Sequence, residues 1–580
     1  MSPVLRSTQV KAELAMQANR ASLFSMLALA ATLVSAGEKP AQCRGDSDSA
    51  GSCDKAPVAQ SQMAVSAAFL WTANDANYGV GTVSKVATQP FAFGTKYHEA
   101  ARYASVTCQS DPVNGSKEGA RFSTTPPSTL CADGTHGCCS RAETVPGANG
   151  LHQPINLVQN RPIRTAVDVG GSTWVVNAAN GDISRQSSVT RIAGSISECV
   201  ERNGLPGIQT STDANGDGII DTDCNNNGTA DDAADINGLP CQIGHPQEFW
   251  GLDDECVLFT VNIGAAGDVA RSLALGKGAS AAAPSDAWVG TYNDGKFYRI
   301  DAVTGAIKNT IIIGPQAAMV SHPFGAVIDQ FGILWAENVA GDGNCPGGCV
   351  FYFDTANTAN QDAVAPPGNI AGGGFHGIAL DGYRGASGLL QQIWFGAYNG
   401  YGAYRYRPVR NAGFAAIGTG TWALGQVTGP GQLAAARGVA VDNRTPAFAW
   451  VAIDGGGVAK IPANMPDGSN TFAPATNLFL TGQNATLGTG VTADQDIWAA
   501  NGGSSTLTHF SVDAAGNVNN SGSLDQFNLD DKPGAIESFC PIPMYGLCKP
   551  HPDTNSDFTG FAFVTFTYPG IDRIFADGFE

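Results

Sequence analysis

The residues best suited to chemistry in this sequence are oxygen-bearing side chains at alternate positions of one short stretch. Those at positions 1, 3, 5 and 9 of the stretch are Asp213, Asn215, Asp217 and Asp221. Gly218 stands at position 6, and Ile219 offers its backbone carbonyl at position 7. A hard cation takes about six to eight oxygen ligands, and the glycine permits the sharp turn between them. The stretch therefore predicts a calcium loop.

The same spacing recurs ten residues later, at Asp223, Asn225, Asn227 and Asp231. A third copy is incomplete, because Cys241 stands at its ninth position. These loops (213–238) resemble the calcium loops of thrombospondin type 3 repeats and, more distantly, EF-hands, although Cys224 replaces the bidentate glutamate of an EF-hand. A structural calcium ion would relieve the repulsion among the clustered carboxylates. The alternative is a solvated loop without an ion.

A tryptophan repeat supplies the framework that must position these loops. Seven tryptophans share a context of an apolar run and a glycine turn: Trp71, Trp174, Trp288, Trp335, Trp394, Trp450 and Trp498. Five copies follow a run closed by or near an aspartate, at Asp168, Asp329, Asp381, Asp442 and Asp494. Runs of β-forming residues separated by turns predict small antiparallel sheets.

The spacing of the repeat indicates how these sheets assemble. The last four intervals range from 47 residues (Trp288 to Trp335) to 59 residues (Trp335 to Trp394), close to the length of a four-stranded propeller blade. Outer strands are predicted at Lys308–Gly314, Thr421–Val427 and Asn477–Gln483. We therefore predict an all-β fold, a seven-bladed β-propeller over residues 61–570. A β-sandwich with coincidental tryptophans is the alternative.

The repeated unit, a G-x-A-φ-D run (φ aliphatic) before a tryptophan strand, resembles the blades of the streptogramin B lyase (virginiamycin B lyase) family and its NHL-type relatives, from about Leu70 to Asp513. The resemblance implies a propeller and a lyase reaction that opens a cyclic depsipeptide with magnesium, a histidine and a glutamate. His376 in FHGIALD and Glu337 in LWAEN stand at the family's two positions, which makes them the candidate catalytic residues. They belong to neighbouring blades, so the motif of neither blade is complete.

Two insertions interrupt the repeat, at about 104–155 and 195–256. The second separates blades two and three in this interpretation and carries the calcium loops. Cys199 and Cys256 flank it and can tie its ends together, with Cys224 and Cys241 as an inner bridge. Other local pairs are possible between Cys43 and Cys53, Cys345 and Cys349, and Cys540 and Cys548. Fourteen cysteines, an even number, indicate a disulfide-rich protein in an oxidising compartment.

The N-terminal stretch predicts export. Arg20 precedes an apolar run, Leu23–Val34, and Ala36 closes a small-residue cleavage site, so residues 1–36 read as a signal peptide and 37–60 as a linker. The run is too short to span a bilayer, and no later stretch is a candidate span. We expect a secreted or periplasmic protein.

Charge and composition restrict the partners. The net charge of −19 opposes binding to nucleic acid or an anionic membrane. The sequence therefore favours a monomeric, calcium-binding propeller that binds a small molecule, glycan or protein on one face, without a complete catalytic set. The alternative is a magnesium-dependent carbon–oxygen lyase acting on a cyclic depsipeptide such as streptogramin B. Near the end of the chain, Ser556–Thr567 can add a strand to the first blade, followed by a tail at 571–580.

Overall fold

The structure is a computed structural model of the chain. It describes residues 69–75, 82–88, 97–105, 144–146, 152–154, 161–178, 186–201, 206–216, 218, 220–221, 246–250, 254–278, 283–313, 322–338, 348–368, 374–385, 388–398, 402–410, 412–427, 435–519, 525–528, 551–552, 558–561 and 565–566. The chain divides into two units, 1–61 and 62–580, and every described residue belongs to the second.

Seven sheets of four or five strands form a ring, which confirms the predicted seven-bladed β-propeller. The first two blades and the hairpin between them comprise β1 (Phe69–Asp75), β2 (Thr82–Ala87), β3 (His98–Ala104), β4 (Thr144–Pro146), β5 (His152–Pro154), β6 (Pro162–Val167), β7 (Thr173–Asn177), β8 (Gln186–Ile192) and β9 (Val257–Ala266). Blades three and four comprise β10 (Ala270–Leu275), β11 (Ala287–Thr291), β12 (Lys296–Ile300), β13 (Ile307–Ile312), β14 (Pro323–Ile328), β15 (Ile333–Asn338), β16 (Val350–Asp354) and β17 (Gln361–Val364).

The remaining strands belong to blades five to seven, except for β19 and β20, which form a small hairpin, and β33, which returns to blade one. They are β18 (Phe375–Leu380), β19 (Arg384–Gly385), β20 (Gly388–Leu389), β21 (Ile393–Ala397), β22 (Gly402–Arg407), β23 (Thr421–Val427), β24 (Ala436–Val441), β25 (Phe448–Ile453), β26 (Gly457–Pro462), β27 (Gly468–Phe472), β28 (Leu478–Leu480), β29 (Thr486–Val491), β30 (Ile497–Asn501), β31 (Thr506–Phe510), β32 (Asp525–Asn528) and β33 (His551–Pro552). The described helical segments are short: 3-10 turns at Ile196–Glu198, Phe414–Thr419 and Gly502–Ser504, and one α-helical turn at Pro474–Asn477. None of these helices is long and apolar enough to cross a membrane.

The second strand of each blade is the most buried element of the fold. All six residues of β25, which carries Trp450, are buried, whereas the outer strand β13 is mostly exposed. A blade packs against a neighbour on both faces, so its central strands are continuous apolar runs rather than alternating ones. The seven repeat tryptophans are all fully buried and form the large side chains between blades.

Aspartates at the ends of three inner strands explain why the repeat pairs an aspartate with a tryptophan. The indole Nε1 atoms of Trp335, Trp394 and Trp450 donate hydrogen bonds to Asp329, Asp381 and Asp442 at 2.8, 2.9 and 2.9 Å. Blade two is different, because Trp174 Nε1 has no hydrogen-bond partner among the described residues. Its Asp168 instead accepts from the backbone N–H groups of the following turn.

The C-terminal segment completes blade one. β33 pairs antiparallel with the end of β1, and the backbone N–H of Trp71 donates to the carbonyl of Phe558 at 2.8 Å. The prediction of a strand at Ser556–Thr567 was wrong for its described residues, 558–561 and 565–566, none of which lies in a strand. The strand that pairs with β1 is β33, which precedes that range, and the predicted segment contacts blade one through the Phe558 carbonyl. The tail at 571–580 lies outside the described residues.

The second insertion lies inside blade two, not between blades two and three as the repeat suggested. It separates the third strand, β8, from the fourth, β9, and these two strands pair antiparallel. The sequence interpretation was wrong on this point because β9 follows a long non-repetitive stretch and carries no repeat signature. Cys199 and Cys256 form a disulfide at the base of the insertion, with 4.4 Å between their Cα atoms.

Candidate functional site

The inner strands of the blades line an axial channel with almost wholly aliphatic walls. The channel holds about 60 Å³ of free space, and its lining includes Leu275, Leu380, Val441 and Val491. Phe561 from the C-terminal segment also contributes to the lining, and Phe566 packs beside it with 5.9 Å between ring centroids. Gln391 Nε2 holds the backbone of Phe566 at 2.9 Å. The C-terminal segment therefore lies at the end of the channel where the inner strands finish.

The opposite end of the channel carries a repeated irregularity. Six inner strands (β6, β10, β14, β18, β24 and β29) begin with a register shift against their second strand. A bulge of this kind redirects a side chain away from the sheet faces. The second residues of these strands are Ile163, Arg271, Phe324, His376, Arg437 and Leu487. We call this end the axial mouth, defined by Arg164, Arg271, Phe324, His376 and Arg437.

Phe324 is the centre of the axial mouth. The guanidinium carbons of Arg164 and Arg271 lie 5.1 and 5.0 Å from its ring centroid, and the His376 ring lies 4.4 Å away. Arg164 comes from blade two, Arg271 from blade three and His376 from blade five. A cation over an aromatic face is attracted to the ring quadrupole. One phenylalanine thus brings together groups from four blades.

Arg437 from blade six joins the cluster through Tyr398. Its guanidinium carbon lies 5.1 Å from the Tyr398 ring, which stacks on His376 with 5.8 Å between centroids. Arg437 also pairs with Asp454, to which its Nε donates at 3.1 Å. The carboxylate of Asp454 therefore neutralises this guanidinium in part.

Glu337 lies fully buried beneath these groups. Its Oε1 accepts the backbone N–H of Gly377 at 2.7 Å and lies 3.6 Å from Arg164 Nη2, whereas Oε2 has no hydrogen-bond partner among the described residues. Gly325 makes room for the carboxylate, since a Cβ there would stand 2.5 Å from Oε1. Burial raises the pKa of Glu337 to about 7, against the opposing effects of Arg164 and the Gly377 N–H. Glu337 can therefore hold or release a proton near neutrality.

His376 is also buried, with 6% of its surface exposed, and its Nδ1 has no hydrogen-bond partner within the described part of the chain. Burial, followed by the positive charges of Arg437, Arg164 and Arg271, holds the pKa of His376 well below its ordinary value. The imidazole is therefore neutral at pH 7. The structure brings the two predicted catalytic residues together: Glu337 bonds to the residue that follows His376.

Sequence reasoning missed the three arginines. Arg437 in ARGVAVD occupies the place of His376 in FHGIALD, and Arg271 in ARSLAL occupies the same place in blade three. Alignment of the repeats on their inner strands would have placed both at one end of the channel. Arg164 stands one position later in its strand, so no single-column alignment finds it.

The predicted calcium loop is described only in its first half. Asp213 Oδ1 accepts the backbone N–H of Gly216 and Oδ2 that of Gly218, each at 2.8 Å. These bonds fold the loop back on its first carboxylate. Of the predicted metal ligands, Asp213, Asn215 and Asp221 are described, and the others lie outside the described residues: Asp217, Ile219, Asp223, Asn225, Asn227 and Asp231.

Glu248 fixes the ends of this loop, a role that the motif analysis did not predict. Its Oε1 accepts the N–H of Asn215 at 2.9 Å and its Oε2 that of Asp221 at 2.8 Å, and the side chain is fully buried. The loop also packs on the outer strand of blade one, where Gly218 accepts the backbone N–H of Glu99 at 3.0 Å. The insertion thereby covers an open sheet edge.

The other predicted disulfides fall outside the described residues, with one exception. Cys349 is disulfide-bonded, and its predicted partner Cys345 is not described. Cys43, Cys53, Cys224, Cys241, Cys540 and Cys548 also lie outside the described residues.

Comparison with known proteins gives similarity at the level of architecture. No protein-family model and no curated protein matches the chain. The chain is similar to a solved structure of catalytically inactive virginiamycin B lyase from Staphylococcus aureus with quinupristin, at 11% identity over 64% of this chain and 85% of that one, with a TM-score of 0.36. It is also similar to a periplasmic gluconolactonase of Pseudomonas aeruginosa, at 11% identity over 79% and 98% of the two chains, with a TM-score of 0.39. At these levels neither similarity bears on chemistry, and the propeller rests on the sheets themselves.

Proposed function

We propose that this protein is an exported, monomeric, calcium-binding propeller that binds a ligand at the axial mouth and has no complete catalytic set. The observation that carries the proposal is the convergence of Arg164, Arg271, Phe324, His376 and Arg437 from five successive blades at one end of the channel. Convergent polar groups beside aromatic rings are the usual composition of a binding site.

Binding is favoured over catalysis by the burial of the two predicted catalytic residues. Glu337 is fully buried, and His376 is 6% exposed, behind the rings of Phe324 and Tyr398. A general base must come within about 3 Å of the proton that it removes. Both groups instead support the residues around them, Glu337 through Arg164 and the Gly377 N–H, and His376 through stacking.

Export is supported by the signal peptide predicted from the N-terminal sequence and by the cysteines. The Cys199–Cys256 disulfide closes the base of the blade-two insertion and requires an oxidising compartment to form and persist. We place the protein outside the cytoplasm, either secreted or periplasmic.

A structural calcium ion in the blade-two insertion is the second part of the proposal. The backbone around Asp213 is already turned as a calcium loop requires, with the N–H groups of Gly216 and Gly218 directed at its carboxylate. Glu248 holds the ends of the loop by accepting the backbone N–H groups of Asn215 and Asp221, so these two bonds do not use the side chains of Asn215 and Asp221. The ion would neutralise the clustered acidic side chains of the loop.

A lyase remains the second candidate, on the observation that a neutral His376 with an unpartnered Nδ1 lies beside Glu337. Magnesium does not fit this part of the described structure. Mg²⁺ takes oxygen ligands, usually one or two carboxylates with water. Here the predicted carboxylate, Glu337, lies beside the Arg164 guanidinium, and the positive charges of Arg271 and Arg437 act on the neighbouring His376. We derive no catalytic step through the ion.

Streptogramin B distinguishes the two candidates. Purified protein and a Glu337→Gln/His376→Ala double variant are incubated with streptogramin B and magnesium, and ring opening is followed by mass spectrometry. We expect no opening by either protein. Opening by the wild type at the unshifted mass of an elimination product, and not by the variant, would establish the lyase.

Binding at the axial mouth is tested with small molecules of different charge. Chitobiose, spermidine, succinate and inorganic phosphate are each added to the wild type, to Phe324→Ala and to Phe331→Ala, and the melting temperature is measured. Phe331 is the control because it lies in the turn after β14, the inner strand of the same blade, and is 46% exposed. We expect at least one compound to stabilise the wild type and Phe331→Ala but not Phe324→Ala. Stabilisation by none, or by the same amount in all three proteins, refutes the proposed function.

A further inference from the structure

The channel continues the axial mouth along the same strands. The mouth is built from the second and third residues of the inner strands, whereas the channel is lined by their fourth to sixth residues, such as Ile378, Ala379 and Leu380 of β18. We infer, on the basis of the proposed function, that the ligand of the axial mouth is amphipathic and places a short hydrocarbon group in this channel.

The volume of the channel sets the size of that group. A protein cavity of about 150 Å³ lined by aliphatic and aromatic side chains stays dry and binds benzene or xenon. The free space in this channel is smaller, about 60 Å³. It therefore suits a group smaller than a benzene ring, such as a short alkyl chain.

The side chains that line the channel favour a hydrocarbon over water. Thr165 is the one polar side chain among the described lining residues, and its hydroxyl donates to the Trp71 carbonyl at 3.1 Å. A water molecule in a cavity needs two to four polar partners, and these aliphatic side chains offer none. A hydrocarbon group would give the wall atoms the dispersion contacts that a void denies them.

The free space exists because the residues opposite the repeat tryptophans are small. In the six inner strands with a register shift, the residues paired with the tryptophan are Ala166, Ala274, Val327, Ala379, Ala440 and Gly490. Ala166 and Val327 are only partly buried, although every other residue of β6 and β14 is buried. Both also line the channel, so we take their remaining exposure as exposure to its free space.

The C-terminal segment blocks one end of the channel. A Cβ at Gly490 would stand 2.9 Å from the Phe558 ring, and a Cβ at Gly382 would stand 2.9 Å from the Phe566 ring. Gln391 Nε2 holds the Phe566 carbonyl at 2.9 Å. Even one added carbon atom would collide there, since the segment is packed at the density of a protein core. A hydrocarbon group must therefore enter from the axial mouth.

At the mouth, His376 offers a hydrogen bond to the polar part of the ligand. The residue is 6% exposed, and its Nδ1 has no hydrogen-bond partner within the described part of the chain. A buried polar atom without a hydrogen bond is costly. Ala379 of the channel wall lies three residues further along β18, which is at most about 10 Å in an extended strand. A ligand of that length with one polar end can reach both.

Xenon tests the channel separately, because it has no polar group for the mouth to bind. The proteins are the wild type, Val327→Leu, Val327→Ala and the control Val409→Leu, each checked for folding by its melting curve. Val409 lies outside the strands and is 37% exposed. Binding is followed by the NMR shifts of the methyl groups of Leu275, Leu380, Val441 and Val491.

We expect xenon to bind the wild type and Val409→Leu equally. Val327→Leu adds a methylene group to the wall and should weaken binding about four-fold or more, and Val327→Ala should strengthen it. If Val327→Leu does not fold, Val327→Ala decides the test. No shift of the channel methyl groups, or equal binding in all folded variants, overturns the inference.

The 1-alkanols from ethanol to 1-octanol test the amphipathic ligand, with binding measured by the same NMR shifts. Affinity should rise about four-fold for each added methylene group until the channel is full. The chain length at which the rise stops should be shorter in Val327→Leu, longer in Val327→Ala and unchanged in Val409→Leu. Phe324→Ala should weaken the binding of every alcohol.

The outcomes separate this inference from the proposed function. A rise that continues through 1-octanol in every variant indicates adsorption on the surface and overturns the inference. If Phe324→Ala leaves the alcohols unaffected, no ligand spans the mouth and the channel, and the inference fails. If chitobiose, spermidine, succinate or phosphate stabilises the wild type but not Phe324→Ala, and neither xenon nor the alcohols bind, the proposed function stands and the inference fails. If no compound of either set binds, both fail.

Discussion

The hydrogen bond between Asp381 and Trp394 offers a direct test of how the repeated sequence stabilises a blade. Asp381 Oδ1 accepts the backbone N–H groups of Tyr383 and Gln392 at 2.9 and 2.7 Å, and Oδ2 accepts Gln392 Nε2 and Trp394 Nε1 at 2.7 and 2.9 Å. Both Asp381 and Trp394 are buried. Each buried donor that loses its acceptor costs about 1–3 kcal/mol. With at least two of the four donors excluded from water, Asp381→Ala should lower the free energy of unfolding by about 3–5 kcal/mol.

A double-mutant cycle isolates the contribution of the indole. Trp394→Phe removes the N–H and leaves a small cavity, at a cost of about 1–3 kcal/mol. In the Asp381→Ala protein the indole N–H has already lost its acceptor, so Trp394→Phe there removes an unsatisfied donor. The double variant should therefore lose about 1–2 kcal/mol less free energy of unfolding than the sum of the two single variants. The assay is urea unfolding followed by circular dichroism, with all four proteins at the same pH because burial raises the pKa of Asp381.

Blade two provides the matched control. Trp174 occupies the same place in its blade, but its Nε1 has no partner in the described structure, and Asp168 holds Gly170 and Ser172 instead. The Asp168→Ala/Trp174→Phe cycle should therefore give a coupling energy below about 0.5 kcal/mol. A coupling at Asp381 and Trp394 no larger than that at Asp168 and Trp174 would refute the reasoning.

Four further outcomes are expected. Trp450→Ala should lower the free energy of unfolding by about 3–5 kcal/mol because it empties a fully buried site, as measured by urea unfolding; a loss below about 1 kcal/mol would contradict this packing. Burial raises the pKa of Glu337 from 4.5 to about 7, so the folded state holds this proton more tightly than the unfolded chain does. The stability that it contributes is present below pH 4.5 and lost as the pH rises through 7, and the wild type should lose about 3 kcal/mol relative to Glu337→Gln over that window; parallel stability curves would disprove the shift. Calorimetry should detect calcium binding that Asp213→Ala weakens, together with protection from proteolysis near residue 220; no heat and no protection would remove the calcium site. Mass spectrometry of exported protein should find Gly37 at the N-terminus, and an intact Met1 or Met16 would contradict the signal peptide.

The blades could be predicted from sequence because each carries its own local signal. The tryptophan lies in a fully buried strand, and the preceding aspartate accepts its indole N–H in blades four to six, so the motif reflects one contact made within one sheet. The outer strands predicted at Thr421–Val427 and Lys308–Gly314 were found as β23 and β13, because each is a short run of β-forming residues beside a turn. Local periodicity is the most reliable structural signal in a single sequence.

The axial mouth could not be predicted because its contacts join blades that are far apart in sequence. Arg164 reaches Glu337 from two blades away, and no local pattern records that approach. Glu248 was missed for a related reason: it closes a loop 27 residues earlier in the chain. The strand β9 went unrecognised because the insertion removes it from the regular spacing, and its sequence, VLFTVNIGAA, contains neither the aspartate nor the tryptophan of the repeat.

The closure of the ring has a consequence for how the protein matures. Blade one joins two distant regions of the chain. β1 comes from the early region, and β33 and the residues around Phe558, which contact β1, come from the late region. Until that late segment has been synthesised, the inner edge of β1 has no partner, and six blades form an open arc with unpaired backbone groups at its end. The same segment carries Phe561 and Phe566 to the channel. A nascent or truncated chain would thus have an open ring and a channel that lacks these two rings, a form in which chaperones and proteases can recognise an unfinished molecule.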